Sequence, residues 1–93
     1  LVFDVHADSS GVVTAIDNFF LARLARLAGA PIARGAGVDL FKKLSDRVAK
    51  GDVLYRVYAE FPSNYEFARE YVSQHSGYTL GEADMIRAHH VEF

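Results

Sequence analysis

A chain of 93 residues accommodates one domain and leaves no room for a second catalytic one. Its hydrophobic fraction of 51%, with 13% aromatics, is enough to fill a single core and argues against intrinsic disorder. Lys and Arg number 10 against 12 Asp and Glu, a formal charge of −2 that lacks the basic footprint used by nucleic-acid and anionic-membrane binders.

With no cysteine there is no disulfide framework, no thiolate metal site and no cysteine nucleophile. The longest apolar runs, such as Phe19 to Ala22, fall far short of a bilayer span, and no basic segment precedes an apolar one as in a secretion signal. A cytoplasmic location is the default expectation. The sequence begins at Leu1 without an initiating Met, inside what reads as a strand, and so reads as a piece of something longer.

In chain order, Leu1 to Ala7 is a β-branched and aromatic alternation, and Asp8-Ser9-Ser10-Gly11 interrupts it with turn chemistry before a second strand, Val12 to Ile16. Asp17 stands where a helix N-cap is wanted, its carboxylate able to accept the first-turn amides. The helix that follows carries Phe20, Leu24, Leu27 and Ala28 at helical spacing, with Arg23 and Arg26 on other faces. Gly29 supplies a left-handed cap, and Pro31 keeps the helix from resuming.

The small-residue stretch Ala30 to Gly37 leads to a third strand, Val38 to Leu44. A polar stretch from Ser45 to Asp52 follows, its one apolar anchor being Val48, and β-prone alternation resumes from Val53 to Glu60 as an elaborated hairpin. Pro62 ends that strand. Ser63-Asn64-Tyr65-Glu66 has the form of a capping box, predicting a second helix to about His75 with Phe67, Ala68, Tyr71 and Val72 inward and Gly77 as its terminator. Residues 78–93 give no clear pattern. Strands and two helices without regular βαβ alternation predict an α+β fold.

Few of these residues suggest chemistry. Gly35 and Gly37 could let backbone amides approach a phosphate, but they lie between helix and strand, where neither a Walker loop nor a dinucleotide fingerprint puts its glycines. Strand alternation sets Asp4, His6 and Asp8 on one face, either a metal or acid/base cluster or ordinary solvated polar residues. The adjacent His89 and His90 diverge and cannot form a chelating pair by themselves. Arg23 and Arg26 could clamp an anion or simply face solvent. No catalytic, cofactor-binding or metal-ligating residue is assigned. In Val53 to Tyr58, Tyr55 and Val57 share one face while Leu54, Arg56 and Tyr58 share the other, so both sides of this strand should be covered, one of them by a partner or neighbouring domain.

Two resemblances organise the motifs. Asp46-Arg47-Val48-Ala49-Lys50-Gly51-Asp52-Val53-Leu54 resembles the turn of barrel-sandwich and hammerhead domains found in biotinyl and lipoyl carriers, although Lys42, Lys43 and Lys50 lack the flanks of a carrier lysine. A longer match runs from Gly11 to Glu60, through Ile16-Asp17-Asn18, Leu21 to Pro31, Gly35-Ala36-Gly37-Val38-Asp39-Leu40 and Gly51-Asp52-Val53-Leu54-Tyr55. It is similar to the C-terminal domain of pyrimidine-nucleoside phosphorylases, especially the branch holding archaeal AMP phosphorylases and the bacterial thymidine phosphorylases grouped with them. Ser45 departs from the family's usual glycine and Phe41 from its histidine or tyrosine.

The resemblance implies an α/β-hammerhead: a barrel-sandwich-like, twisted mixed sheet with two helices, forming a single domain over residues 1–93. Asp17, Gly29, Pro31, Gly35, Gly37, Asp46, Gly51 and Asp52 would be its structural motif. It further implies a non-catalytic role in a larger, homo-oligomeric enzyme whose remaining domains carry the chemistry, with phosphate as co-substrate and no other cofactor. The parent would cleave thymidine to thymine and 2-deoxyribose 1-phosphate, or act on AMP. A carrier or binding module, and a plain oligomerisation domain, are the expectations from other classes.

Overall fold

The computed structural model describes residues 1–82. Eight elements follow one another: β1 (Val2–His6), β2 (Gly11–Ile16), α1 (Asn18–Ala28), β3 (Gly37–Leu40), β4 (Arg47–Val48), β5 (Val53–Tyr58), α2 (Pro62–Val72) and β6 (Tyr78–Gly81). The α+β class and both helices agree with the sequence. The strands, however, form two antiparallel three-stranded sheets, ordered β1-β5-β3 and β4-β2-β6, in place of one mixed sheet.

A single long ribbon links the two sheets. Residues 2–13 run antiparallel to residues 46–58, pairing Val2 with Tyr58 at one end and Val12 with Arg47 near the other. The register slips once, between Val5 and His6, leaving Leu54 as an extra residue on β5. That bulge is why Leu54 and Tyr55, neighbours in sequence, are both buried, whereas strict alternation had put Leu54 with Arg56 and Tyr58. The Phe41 and Lys42 amides both donate to the Leu54 carbonyl, at 2.9 and 3.2 Å. Two residues facing one acceptor is a second irregularity, and it ends β3 at Leu40 instead of the expected Leu44.

Two turns of one design fasten the middle of the ribbon. In Lys43-Leu44-Ser45-Asp46 the Asp46 amide donates to the Lys43 carbonyl at 3.0 Å, and the Asp46 carboxylate accepts from the Lys43 amide at 2.8 Å. In Ala49-Lys50-Gly51-Asp52 the corresponding distances are 2.9 and 2.8 Å. Ser45 and Gly51, at the third position, have φ of 75° and 95°, the type II pattern that favours glycine. The first turn exchanges two backbone hydrogen bonds with Val13 and the second exchanges two with Ala7. Between them Val48 is buried, the plug expected from the sequence.

Helix α1 starts as predicted. Asp17 caps it, accepting from the Phe20 amide at 3.0 Å, and its own amide donates to the Gly77 carbonyl at 2.7 Å, which ties the helix to the approach of β6. At the other end the Gly29 and Ala30 amides donate to the Arg26 and Ala25 carbonyls, both at 3.0 Å, a Schellman closure with Gly29 at φ 122°. Leu21, Leu24 and Ala28 form its buried stripe, with Phe20 and Leu27 half-buried at the margin.

Helix α2 corrects several expectations. Pro62 opens it, the N-cap is Phe61 with no side-chain hydrogen bond, and Ser63 and Glu66 lie inside the helix without forming a capping box. It ends at Val72, three residues short of His75 and well before Gly77. Ala68 is buried as expected and Tyr71 and Val72 are half-buried, but Phe67 faces solvent. Helix α1 packs on α2 and over β3 and β5, and α2 lies over β1. The Asn64 amide joins the helices by donating to the Leu27 carbonyl at 3.0 Å, and the rings of Phe20 and Tyr71 stack at 4.5 Å. The core thus lies between the helices and the inner face of β1-β5-β3, where Phe3, Tyr55 and Val57 are buried.

Candidate functional site

The eight motif residues do not converge on one site. Asp17 and Gly29 bound α1, and Asp46, Gly51 and Asp52 build the twin turns. Pro31 is exposed and follows a cis peptide bond. Gly35 lies against the Glu60 side chain, while Gly37 begins β3.

In the Asp4, His6, Asp8 row, Asp4 and His6 are each engaged by a neighbour, while His6 and the exposed Asp8 line one depression. Arg56 takes both oxygens of Asp4, Nε to Oδ1 at 2.6 Å and the terminal nitrogen to Oδ2 at 3.1 Å. The Arg56 hydrogen bond holds the Asp4 carboxyl below its ordinary value, outweighing desolvation. His6 Nδ1 lies 2.9 Å from the Gly51 carbonyl, which can only accept, so that nitrogen carries the proton. Among the described residues no group of three or more His, Asp or Glu side chains gathers where it could hold a metal ion. His89 and His90 fall outside the described residues.

Among the described residues, three depressions bear on these side chains. The first, of about 370 Å³, lies where the end of α2 meets the ribbon, with His6, His75, Leu54 and Tyr78 in its wall. His75 Nδ1 accepts from the Gly77 amide at 2.7 Å, leaving Nε2 as the donor. Below it, Tyr55 donates to the Ser76 carbonyl at 2.7 Å and Tyr78 to the Lys42 carbonyl at 2.6 Å. Burial pushes both phenols up, so they stay neutral as structural donors. Arg23 and Arg26 share the second depression with Phe19, Phe20, Tyr71 and Asp17, and are exposed.

The third is the outer face of β1-β5-β3, lined by Val2, Asp4, Arg56 and Tyr58. The Arg56 guanidinium lies over the Phe41 ring, 5.3 Å from its centroid, while paired to Asp4. The two-faced composition of the strand was legible in the sequence, but the Asp4–Arg56–Phe41 assembly was not. It needs the 52-residue pairing of Asp4 with Arg56 and the irregularity at Leu54.

These features define an α+β module of clasped ribbon and two helices, with an ordered aromatic and charged surface on the far side of one sheet. The chain belongs to the family described as the pyrimidine nucleoside phosphorylase C-terminal domain, whose model matches residues 12–79. It is 61% identical over all 93 residues to a protein named Putative thymidine phosphorylase from Methylococcus capsulatus, covering 18% of that protein. It is 54% identical over its full length to a protein of the same name from Albidiferax ferrireducens, again covering 18%. One from Rhodopseudomonas palustris is 55% identical over 87 residues, 94% of this chain and 17% of the relative. The chain therefore spans less than a fifth of the length of these relatives.

Proposed function

We propose that this chain is a single hammerhead-type domain serving as the non-catalytic C-terminal part of a thymidine-phosphorylase-type pentosyltransferase. The observation carrying this reading is the family match together with relatives of that name that resemble the whole chain, yet are more than five times its length. In the parent, phosphate attacks the anomeric carbon of thymidine as the glycosidic C–N bond breaks. Thymine leaves and 2-deoxyribose 1-phosphate forms, with binding energy holding both reactants in line. The motif residues Asp17, Gly29, Pro31, Gly35, Gly37, Asp46, Gly51 and Asp52 keep the domain rigid, and the domain supports closure or subunit contacts in a homo-oligomer of pyrimidine salvage in the cytoplasm.

The test is a phosphorolysis panel on the full-length parent at saturating phosphate, with thymidine, deoxyuridine, uridine, cytidine and AMP. Phosphate-dependent release of thymine is the expected result. Release of adenine from AMP alone would move the reading to an AMP phosphorylase. No base release from any substrate would overturn it.

A further inference from the structure

We propose that the outer face of β1-β5-β3 is the surface on which the preceding part of the parent polypeptide docks, packing Val2, Phe41, Arg56 and Tyr58 out of water. The inference rests on the reading of this chain as a C-terminal domain.

Three observations carry it. The family is described as a C-terminal domain and the relatives hold more than four fifths of their length outside the matched region, so on the proposed reading polypeptide of the parent leads into Leu1. The Leu1 carbonyl accepts from the Ala59 amide at 2.8 Å, which fixes that entry point beside the end of β5, on this sheet. A segment arriving there enters along the β1 edge of this sheet, whose outer face is the side the helices leave open.

The face is also built for contact. Its inner side is covered by the helices, whereas outside Val2 is 50% and Phe41 46% exposed. Arg56, held by Asp4 and lying over Phe41, pays little ordering entropy on docking, and Arg with aromatics is the composition of interface centres. Leu1 and Leu40, next to Val2 and Phe41 in sequence, are also exposed; Phe19, Ile32, Leu44, Phe61 and Phe67 are more exposed than Phe41 but are spread over α1, the loop after it, the turn before β4, the N-cap of α2 and α2 itself, as ordinary isolated apolar residues are. Charge adds a constraint on the occupant. Asp39 pairs with Arg56 in the ladder and is exposed, with no ion-pair partner among the described residues, so the docking segment should present a Lys or Arg between apolar side chains.

Phe41 and Phe67 make an internal control, being the same residue type at 46% and 56% exposure. Hydroxyl-radical footprinting of the full-length parent, read by mass spectrometry, should modify Phe41 more slowly than Phe67 by about fivefold or more, because a docked centre excludes water. The ratio should persist when the protein is diluted through the range in which subunits separate. A ratio near one, or one that collapses on dilution because a second copy was the cover, would overturn the proposal. Phosphorolysis assayed on the same preparation reports the proposed activity separately: turnover with unprotected Phe41 refutes the docking face alone, and protection without turnover refutes the activity alone.

Discussion

Ser45 occupies a backbone position that its twin, Gly51, fills without strain. Both sit third in a turn closed by a following aspartate, and both have positive φ, yet only one lacks a Cβ. A left-handed non-glycine residue costs about 1–2 kcal/mol, so Ser45→Gly should stabilise the domain by about 1 kcal/mol, read as a higher urea midpoint at unchanged slope. An unchanged or lower midpoint would contradict the twin-turn account. Asp4 offers a second test at this scale. Its folded-state pKa is lowered by Arg56, so its contribution to stability is present above the unfolded value of about 3.9 and is lost as pH falls through the lower folded value. In Arg56→Gln the carboxyl should titrate close to the ordinary value, as followed by NMR, and the acid limb of stability should lose that component. Unaltered titration would show that the pair does not form.

At the scale of elements, the locally determined features were legible and those needing distant partners were not. Asp17, Gly29 and Pro31 bracket α1 by interactions within a few residues, and the sequence predicted that helix nearly to the residue. Ser63 and Glu66 had the same local credentials, but Pro62 has a fixed φ suited to the first helical position, and it starts α2 two residues early. The box then falls inside the helix, and Phe67 turns to solvent. Strand β6 was invisible because it is specified by pairing with β2 some 65 residues away, where Thr14 donates to the Thr79 carbonyl at 3.2 Å, and by Tyr78 packing on Tyr55. Gly77 is the joint that brings β6 there. A Cβ on it would sit 2.7 Å from Phe20 Cδ1, in a ring already stacked on Tyr71, and its φ is 83°. Gly77→Ala should therefore cost at least about 1–2 kcal/mol and raise hydrogen exchange at Asp17, whose amide bonds to the Gly77 carbonyl. Wild-type stability in that variant would argue that β6 is not anchored in this way.

For the molecule as a whole, the ordered motifs between Gly11 and Glu60 made the family legible, because turns and caps leave short fixed patterns in sequence. The face that joins a larger protein was only half legible. Alternation in Val53 to Tyr58 pointed to two covered sides, while the Asp4–Arg56 pair and Phe41 beneath it depend on strands brought together by folding. The central claim is that this chain supports chemistry performed elsewhere in its parent. The direct measurement is phosphate-dependent thymine release from thymidine by the full-length parent and by the 93-residue chain, assayed side by side at equal molar concentration. The account predicts turnover by the parent and none by the chain. Turnover by the chain itself, or none by the parent, would contradict it.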